Sequence, residues 1–212
     1  MDIFEKKIKE IWISEREKNK KEIKENGIPK YYYDKIIKLI DRTALDKEVI
    51  ATMESMLKSD DELLLTILMK DPKRQNIYEN ILKEEVSKMG IEIEKLKSWG
   101  KNAFYPIGDE IKTNNAKKPK ELKSLDFKMK TKSGETIYIV HKYTNENGGA
   151  QDNQYYDVIN QLKQLGEKTI KKVWFCLDGR YYNEKRISDL KNINSEIVIV
   201  NIDSIKSYWE KN

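Results

Sequence analysis

An aspartate and a lysine lie near the ends of two adjoining strand-like segments in the second half of the sequence. Asp126 belongs to the segment SLDF, and Lys142 ends the apolar run TIYIVHK. A Lys-Ser-Gly turn at residues 132–134 joins the segments into a predicted hairpin, which brings the carboxylate and the ammonium to one end of a sheet. This pair suits metal-assisted phosphodiester hydrolysis. The carboxylate holds Mg²⁺, which polarises the phosphate, and the lysine orients or deprotonates the attacking water.

The residues just before the lysine fall on alternate faces of the second strand. Val140 and Lys142 share one face, whereas His141 lies on the other, because side chains alternate along a strand. His141 is the only histidine in the chain, and its place on the opposite face predicts a packed or hydrogen-bonded role. A single histidine also excludes a zinc site built from several histidines and an HNH-type metal finger.

A polar loop follows the lysine and leads into a helix. Its paired glycines at 148 and 149 predict a turn, but the loop and helix start also carry more amides than a turn needs: Asn145, Asn147, Gln151, Asn153 and Gln154. Asn and Gln side chains pair bidentately with adenine in the major groove, so we expect this loop to read bases or hold phosphates. Lys101 and Asn102, beside Gly100, are predicted to form a second turn that faces DNA; the alternative is an ordinary loop with a buried Trp99.

The predicted secondary structure that positions these residues differs between the two halves of the chain. Residues 1–70 show the apolar spacing of helices, and residues 71–212 show a further helix that ends at Gly90, then a hairpin followed by helix, strand, helix and strand. This order predicts an α/β fold with a mixed central sheet flanked by helices, behind a helical N-terminal section. Residues 100–119 are polar with few apolar anchors and are predicted to form an exposed connector.

The amino-acid composition limits the partners and the cellular compartment that we expect for the chain. Among 212 residues, 36% are charged and the net charge is only +5, which is compatible with nucleic acid but does not require it. The single cysteine, Cys176, lies in the apolar run KKVWFCLDG, so we expect a buried thiol, no disulfide framework and a reducing, cytoplasmic setting. No apolar run approaches the roughly 20 residues of a membrane span, and residues 1–12 lack the apolar region of a signal peptide. We therefore expect no membrane partner.

The order of elements over residues 71–205 resembles the PD-(D/E)xK nuclease superfamily, particularly type II restriction endonucleases. The matching pieces are Asp126 in SLDF, the VHK segment that begins at Val140, fourteen residues after Asp126, and the loop YTNENGGAQDNQ. This resemblance implies a restriction-endonuclease-like core, Mg²⁺ held by Asp126, and a water positioned by Lys142. It also implies cleavage of double-stranded DNA by a homodimer, with the N-terminal helices serving dimerisation or clasping the DNA.

Val140 departs from the family pattern, which places a second acidic metal ligand at that position. Three explanations remain open. The acid has moved to the following helix, where Asp157 lies fifteen residues past Lys142; or an acid from an earlier helix suffices, with the His141 carbonyl completing the metal shell; or the chain is an inactivated form that binds DNA without cutting.

Glu79 is the candidate for the earlier acid. It lies on the first helix of the predicted core between the apolar residues Tyr78 and Ile81, and related nucleases often carry a glutamate on that helix. The alternative is that Glu79 is ordinary surface charge.

Other function classes compete with a restriction enzyme. One is a catalytically silent DNA-binding protein on the same fold, and another is a repair or mobile-element nuclease. A third is a helical interaction protein with an α/β domain, which leaves the aspartate, the lysine and the amide loop unexplained.

Overall fold

The computed structural model describes residues 2–71, 76–113, 122–146 and 148–212. The chain forms two compact units, residues 1–77 and 78–212. The sequence predicted a boundary near residue 71, and the structure divides the chain a few residues later, at the start of a helix.

The first unit is helical, as the apolar spacing predicted. Its helices are α1 (Ile3–Asn26), α2 (Lys30–Thr43), α3 (Val49–Lys58) and α4 (Glu62–Leu68). The Asp2 carboxylate caps α1 by accepting a hydrogen bond from the Glu5 amide at 2.7 Å, and α1 ends at Gly27, whose φ of +79° favours glycine. Apolar side chains from all four helices form one core, in which Tyr32, Ile36 and Leu65 are fully buried.

The second unit is an α/β structure with helices around a mixed sheet, which confirms the predicted fold class at this level. Its elements are α5 (Ile77–Lys88), β1 (Ile93–Lys95), β2 (Tyr105–Ile107), β3 (Glu110–Lys112), β4 (Phe127–Lys130), β5 (Thr136–Tyr143), α6 (Gly149–Gln164), α7 (Glu167–Ile170), β6 (Val173–Asp178), α8 (Glu184–Ile193), β7 (Val198–Val200) and α9 (Ile205–Lys211). Five strands form the sheet in the order β1-β4-β5-β6-β7. The first two pairings are antiparallel, and β5–β6 and β6–β7 are parallel.

The predicted hairpin is β4–β5. Phe127 pairs with Ile139 at one end of the ladder and Lys130 pairs with Thr136 at the other. The turn contains Gly134 with φ +86°, a conformation that glycine adopts without strain. The open end of this hairpin therefore holds Asp126 and the last residues of β5.

The two faces of the sheet are covered by different elements. Val140 and Phe175 are register partners on β5 and β6, and they pack with Val158 and Leu162 of α6. The next residue back on β6, Trp174, lies on the opposite face, where its ring contacts Tyr208 of α9 with 6.0 Å between the ring centroids. Every residue of β6 is buried, as its apolar run predicted.

The prediction of an exposed connector over residues 100–119 is wrong for residues 103–107, although Lys101 and Asn102 are exposed. Strands β2 and β3 form an antiparallel pair there, and Ala103 and Tyr105 are buried beside Leu122. Each strand has only three residues, too few for an alternating pattern to be recognised. Pro119 lies outside the described residues. The three-residue β1 was not predicted, for the same reason.

Across the described ranges, no helix combines the length and the apolar character needed to cross a membrane.

Candidate functional site

Asp126 occupies an irregular position immediately before β4. Its amide donates to the Ile139 carbonyl at 2.8 Å, and its carbonyl accepts from the Leu96 amide at 2.8 Å. Its Oδ2 accepts a hydrogen bond from the backbone N–H of His141 at 2.8 Å. The backbone N–H of His141 thus has a side-chain oxygen as its acceptor instead of a main-chain carbonyl. This hydrogen bond fixes the Asp126 carboxylate against the end of β5.

Two of the other predicted site residues, Lys142 and Glu79, act on the pKa of Asp126 through their charges. Burial raises the pKa of Asp126 above its ordinary value, and the negative charge of Glu79 adds to the increase. The positive charge of Lys142 and the N–H of His141 act in the opposite direction. The structure therefore places Lys142 and Glu79 within electrostatic range of this one carboxylate.

Lys142 lies near the end of β5, on the face that its register predicts. Its partner on β6 is Leu177, a member of the core on the α6 side. The side chain is half-buried. Within the described part of the chain, its ammonium forms no hydrogen bond and no ion pair, so its protons are available to a water or a phosphate oxygen.

Glu79 is positioned by the packing of α5. Four residues of this helix form its buried side: Ile77, Ile81, Leu82 and Val86. Near the helix start, the Tyr78 ring stacks on Tyr143 with 4.8 Å between centroids and 26° between planes. Because Tyr143 directly follows Lys142 in the chain, this stack holds the first turn of α5 beside the end of β5. Glu79 is half-buried and forms no ion pair among the described residues.

Val140 belongs to the apolar core. Its side chain is 1% exposed and packs in the cluster that includes Leu125, Val158 and Phe175. Valine has no ligand atom, so this position contributes packing and no metal contact. An acidic side chain here would enter an apolar environment.

Asp157, the second candidate for a displaced acid, lies on α6 and is half-buried. Its Oδ2 is 3.8 Å from the Lys123 ammonium, and it is not among the groups that shift the pKa of Asp126. Its role in catalysis stays a prediction with less support than that of Glu79.

The amide loop is tied to the segment that follows β6. Asn145 Oδ1 accepts from the Arg180 amide at 2.9 Å, and its Nδ2 donates to the Tyr143 hydroxyl at 2.7 Å. Thr144 donates through Oγ1 to Gln154 Oε1 at 3.1 Å. Two of the predicted DNA-binding amides thus order the loop, while Asn153 is exposed on α6 and Gln151 is half-buried. Asn147 lies outside the described residues.

The turn that holds Lys101 and Asn102 is a surface feature. Both residues are exposed, and the neighbouring Trp99 is 81% exposed, contrary to the alternative of a buried indole. An exposed tryptophan beside lysines offers a stacking surface with positive charge. Sequence reasoning did not select Trp99, because exposure of an aromatic residue in a turn has no distinct sequence signal.

A polar cluster that sequence reasoning missed lies on the other face of β5. It consists of the side chains of His141, Cys176 and Asp178, which are all buried. Burial raises the pKa of the Cys176 thiol well above its ordinary value, and the Asp178 carboxylate adds to the effect, so Cys176 is a poor nucleophile. Its burial was predicted from sequence, but the neighbouring aspartate and histidine were not linked to it.

Asp126 and Glu79 both carry carboxylates, the ligand type that a hard divalent cation takes. Asp126 Oδ1 receives no hydrogen bond from the described residues, and Glu79 offers a second carboxylate. Mg²⁺ is typically held by one or two carboxylates together with waters and substrate phosphates. The prediction that the His141 carbonyl completes a metal shell stays a prediction.

Comparisons of the chain with models of known protein families, with curated proteins and with solved structures found no significant match. Function must therefore be inferred from the side chains themselves.

Proposed function

We propose that this chain is a Mg²⁺-dependent endodeoxyribonuclease of the type II restriction kind, built on a restriction-endonuclease-like core. One observation carries the proposal. The carboxylate of Asp126 is fixed at the open end of the β4–β5 hairpin, and the charges of Lys142 and Glu79 both act on it. A raised pKa on a carboxylate beside a lysine is typical of functional sites.

Asp126 and Glu79 are the residues that would hold the cation. When bound, Mg²⁺ supplies positive charge that polarises a phosphate and lowers the pKa of a coordinated water. Burial raises the pKa of Asp126, and the charge of Glu79 adds to the increase, so a cation held by both carboxylates would offset their repulsion.

Lys142 would position the attacking water or a phosphate oxygen. The ammonium is half-buried and has no competing partner among the described residues, so its N–H groups need not leave an ion pair before they bind substrate. Its stem is held by the β5–β6 pairing with Leu177, which limits the directions the ammonium can reach.

Double-stranded DNA is the proposed substrate. The exposed Lys101, Asn102 and Asn153 would contact it, and Trp99 adds an aromatic surface. Base edges in the major groove are read by amide and cationic side chains. Cleavage of both strands at a palindromic site requires two copies related by a two-fold axis, so we propose a homodimer. We also propose that it acts in the cytoplasm.

A plasmid-cleavage assay with Mg²⁺ tests the proposal. The chain should produce discrete fragments, and Asp126→Asn and Lys142→Ala should lose at least about 100-fold of the rate, the usual scale for removing a catalytic group. Lys128→Ala is the control on the same hairpin, since the Lys128 ammonium pairs with Glu94 at 3.0 Å. Fragments from the Asp126→Asn chain at the parental rate would refute the assignment.

The second acid is tested by comparing Glu79→Gln with Asp157→Asn. Glu79→Gln should reduce cleavage strongly and Asp157→Asn weakly, because Glu79 alone of the two acts on Asp126. The reverse order would assign the second acid to α6.

A catalytically silent DNA-binding protein is the second candidate, and the burial of Val140 favours it. Val140→Glu restores the acid of the family pattern. Fragments from the Val140→Glu chain alone would establish inactivation, and fragments from both chains would support an acid outside position 140. A chain that neither binds nor cuts DNA in either form excludes both candidates.

A further inference from the structure

Three potential metal ligands of different chemistry meet inside the second unit. His141 of β5 and Cys176 of β6 are register partners on adjacent parallel strands. Asp178 lies two residues beyond Cys176 and so projects from the same face of β6. Their exposed fractions are 5%, 0% and 5%, and their ligand atoms all lie within 4.8 Å of one another.

The two separations that involve Asp178 Oδ2 match the edges of a tetrahedral metal site. His141 Nε2 lies 3.6 Å from Asp178 Oδ2, and Cys176 Sγ lies 3.3 Å from the same oxygen. Metal–ligand bonds of about 2.0–2.3 Å, as in zinc sites, place tetrahedral ligands about 3.3–3.7 Å apart. Asp178 Oδ1 points elsewhere and accepts from the Ile202 amide at 2.9 Å, which fixes the carboxylate with Oδ2 directed at the other two ligands.

We propose that His141, Cys176 and Asp178 bind a divalent transition-metal ion of the zinc class. One imidazole, one thiolate and one carboxylate are the ligand types that zinc takes in proteins, whereas Mg²⁺ avoids thiolate and imidazole. The site is thus chemically distinct from the oxygen ligands of Asp126 and does not depend on the proposed nuclease activity.

Binding replaces one hydrogen bond by metal–ligand bonds. The Cys176 thiol donates to Asp178 Oδ2 in the metal-free chain. On binding, sulfur loses that proton to solvent and forms a bond to the metal, while the neutral imidazole and the carboxylate bind through Nε2 and Oδ2. Because all three side chains are buried, we expect the ion to enter as the chain folds.

Cobalt substitution provides a site-specific test. The full chain is unfolded in guanidinium chloride with a chelator, freed of chelator and refolded with Co²⁺. We expect one equivalent of Co²⁺ to bind, with a thiolate-to-cobalt charge-transfer band that excess Zn²⁺ abolishes. The chain contains one cysteine and one histidine, so any such band reports Cys176. The zinc content of natively purified chain gives a second measurement that needs no refolding.

Variants separate this site from the Asp126 site. Cys176→Ala should lose the charge-transfer band, and Asp178→Asn, which keeps an acceptor for the Ile202 amide, should weaken binding more than about tenfold, the loss that even second-shell changes cause. Asp126→Asn should leave the band unchanged. The proposal is overturned if chain refolded with Co²⁺ shows no such band and natively purified chain contains no zinc equivalent. It is equally overturned if Cys176→Ala retains the zinc content of the parent.

Discussion

Replacing Asp126 by asparagine and by alanine separates its two roles. In the structure its Oδ2 is the acceptor for the His141 amide, and in the proposed mechanism its carboxylate holds Mg²⁺. Asparagine keeps a side-chain oxygen for the amide but has no charge, whereas alanine removes both. The two variants should therefore agree in cleavage and differ in stability.

The size of the difference follows from the burial of His141. Alanine leaves the His141 N–H of a buried residue without its acceptor, which should lower the unfolding free energy by about 1–3 kcal/mol. Asparagine retains the bond and removes a carboxylate whose pKa is raised by burial. Since the native state disfavours the charged form, Asp126→Asn should be at least as stable as the parent at pH 7.

The pH dependence has a definite sign. With a raised native-state pKa, Asp126 binds its proton more tightly in the folded chain, so its contribution to stability is greatest below the unfolded-state pKa and falls as pH rises through the native-state pKa. The stability advantage of the asparagine variant should thus grow from pH 4 to pH 7. Urea denaturation at both pH values, with chelator present, measures it. Equal losses for asparagine and alanine, or a pH-independent difference, would refute this reasoning.

Three further substitutions probe the surroundings of the site. Val140→Glu should lower the unfolding free energy by about 2–5 kcal/mol in chelator, because an apolar site receives a carboxylate; a variant as stable as the parent in urea contradicts this. Tyr78→Leu should lose about 0.5–1.5 kcal/mol of stacking on Tyr143 and reduce cleavage more than DNA affinity; unchanged kinetics would show that the stack does not position Glu79. Gly179→Ala should be strongly destabilised in thermal unfolding, since its Cβ would lie 2.2 Å from the Thr144 carbonyl oxygen at a φ of +94°; a parental Tm would contradict the close approach.

Local sequence patterns predicted most of the fold. The buried strand β6 is a continuous apolar run, and the hairpin has a glycine at its turn and alternating residues on β5. Each of these patterns is contained within one short stretch of the sequence, so it can be recognised without knowledge of the tertiary contacts. The β2–β3 pair was missed because three-residue strands carry too little pattern, and the burial of Tyr105 depends on distant residues such as Leu122.

The candidate site was only partly predictable, since its side chains meet through pairings that no local pattern specifies. The proximity of Asp126 to the end of β5 followed from the hairpin. The juxtaposition of His141 with Cys176 depends on the register of two parallel strands that are joined through helices α6 and α7, and packing sets that register. The Tyr78–Tyr143 stack likewise joins segments 65 positions apart in the sequence.

The position of Val140 on β5 helps to distinguish the three explanations for the missing acid at that position. Val140 and Lys142 share the α6 face, and Val140 fills the core there between Leu125 and Phe175. An acid moved to α6 should then approach Asp126 from that same face, but Asp157 lies beside Lys123. Glu79 comes from α5, and among the carboxylates of the described residues it is the one whose charge raises the pKa of Asp126. Because a cation needs oxygen ligands around it and not a particular strand position, an acid from α5 leaves position 140 free to serve the core. We therefore infer that, if the chain cuts DNA, Asp126 and Glu79 form its carboxylate pair.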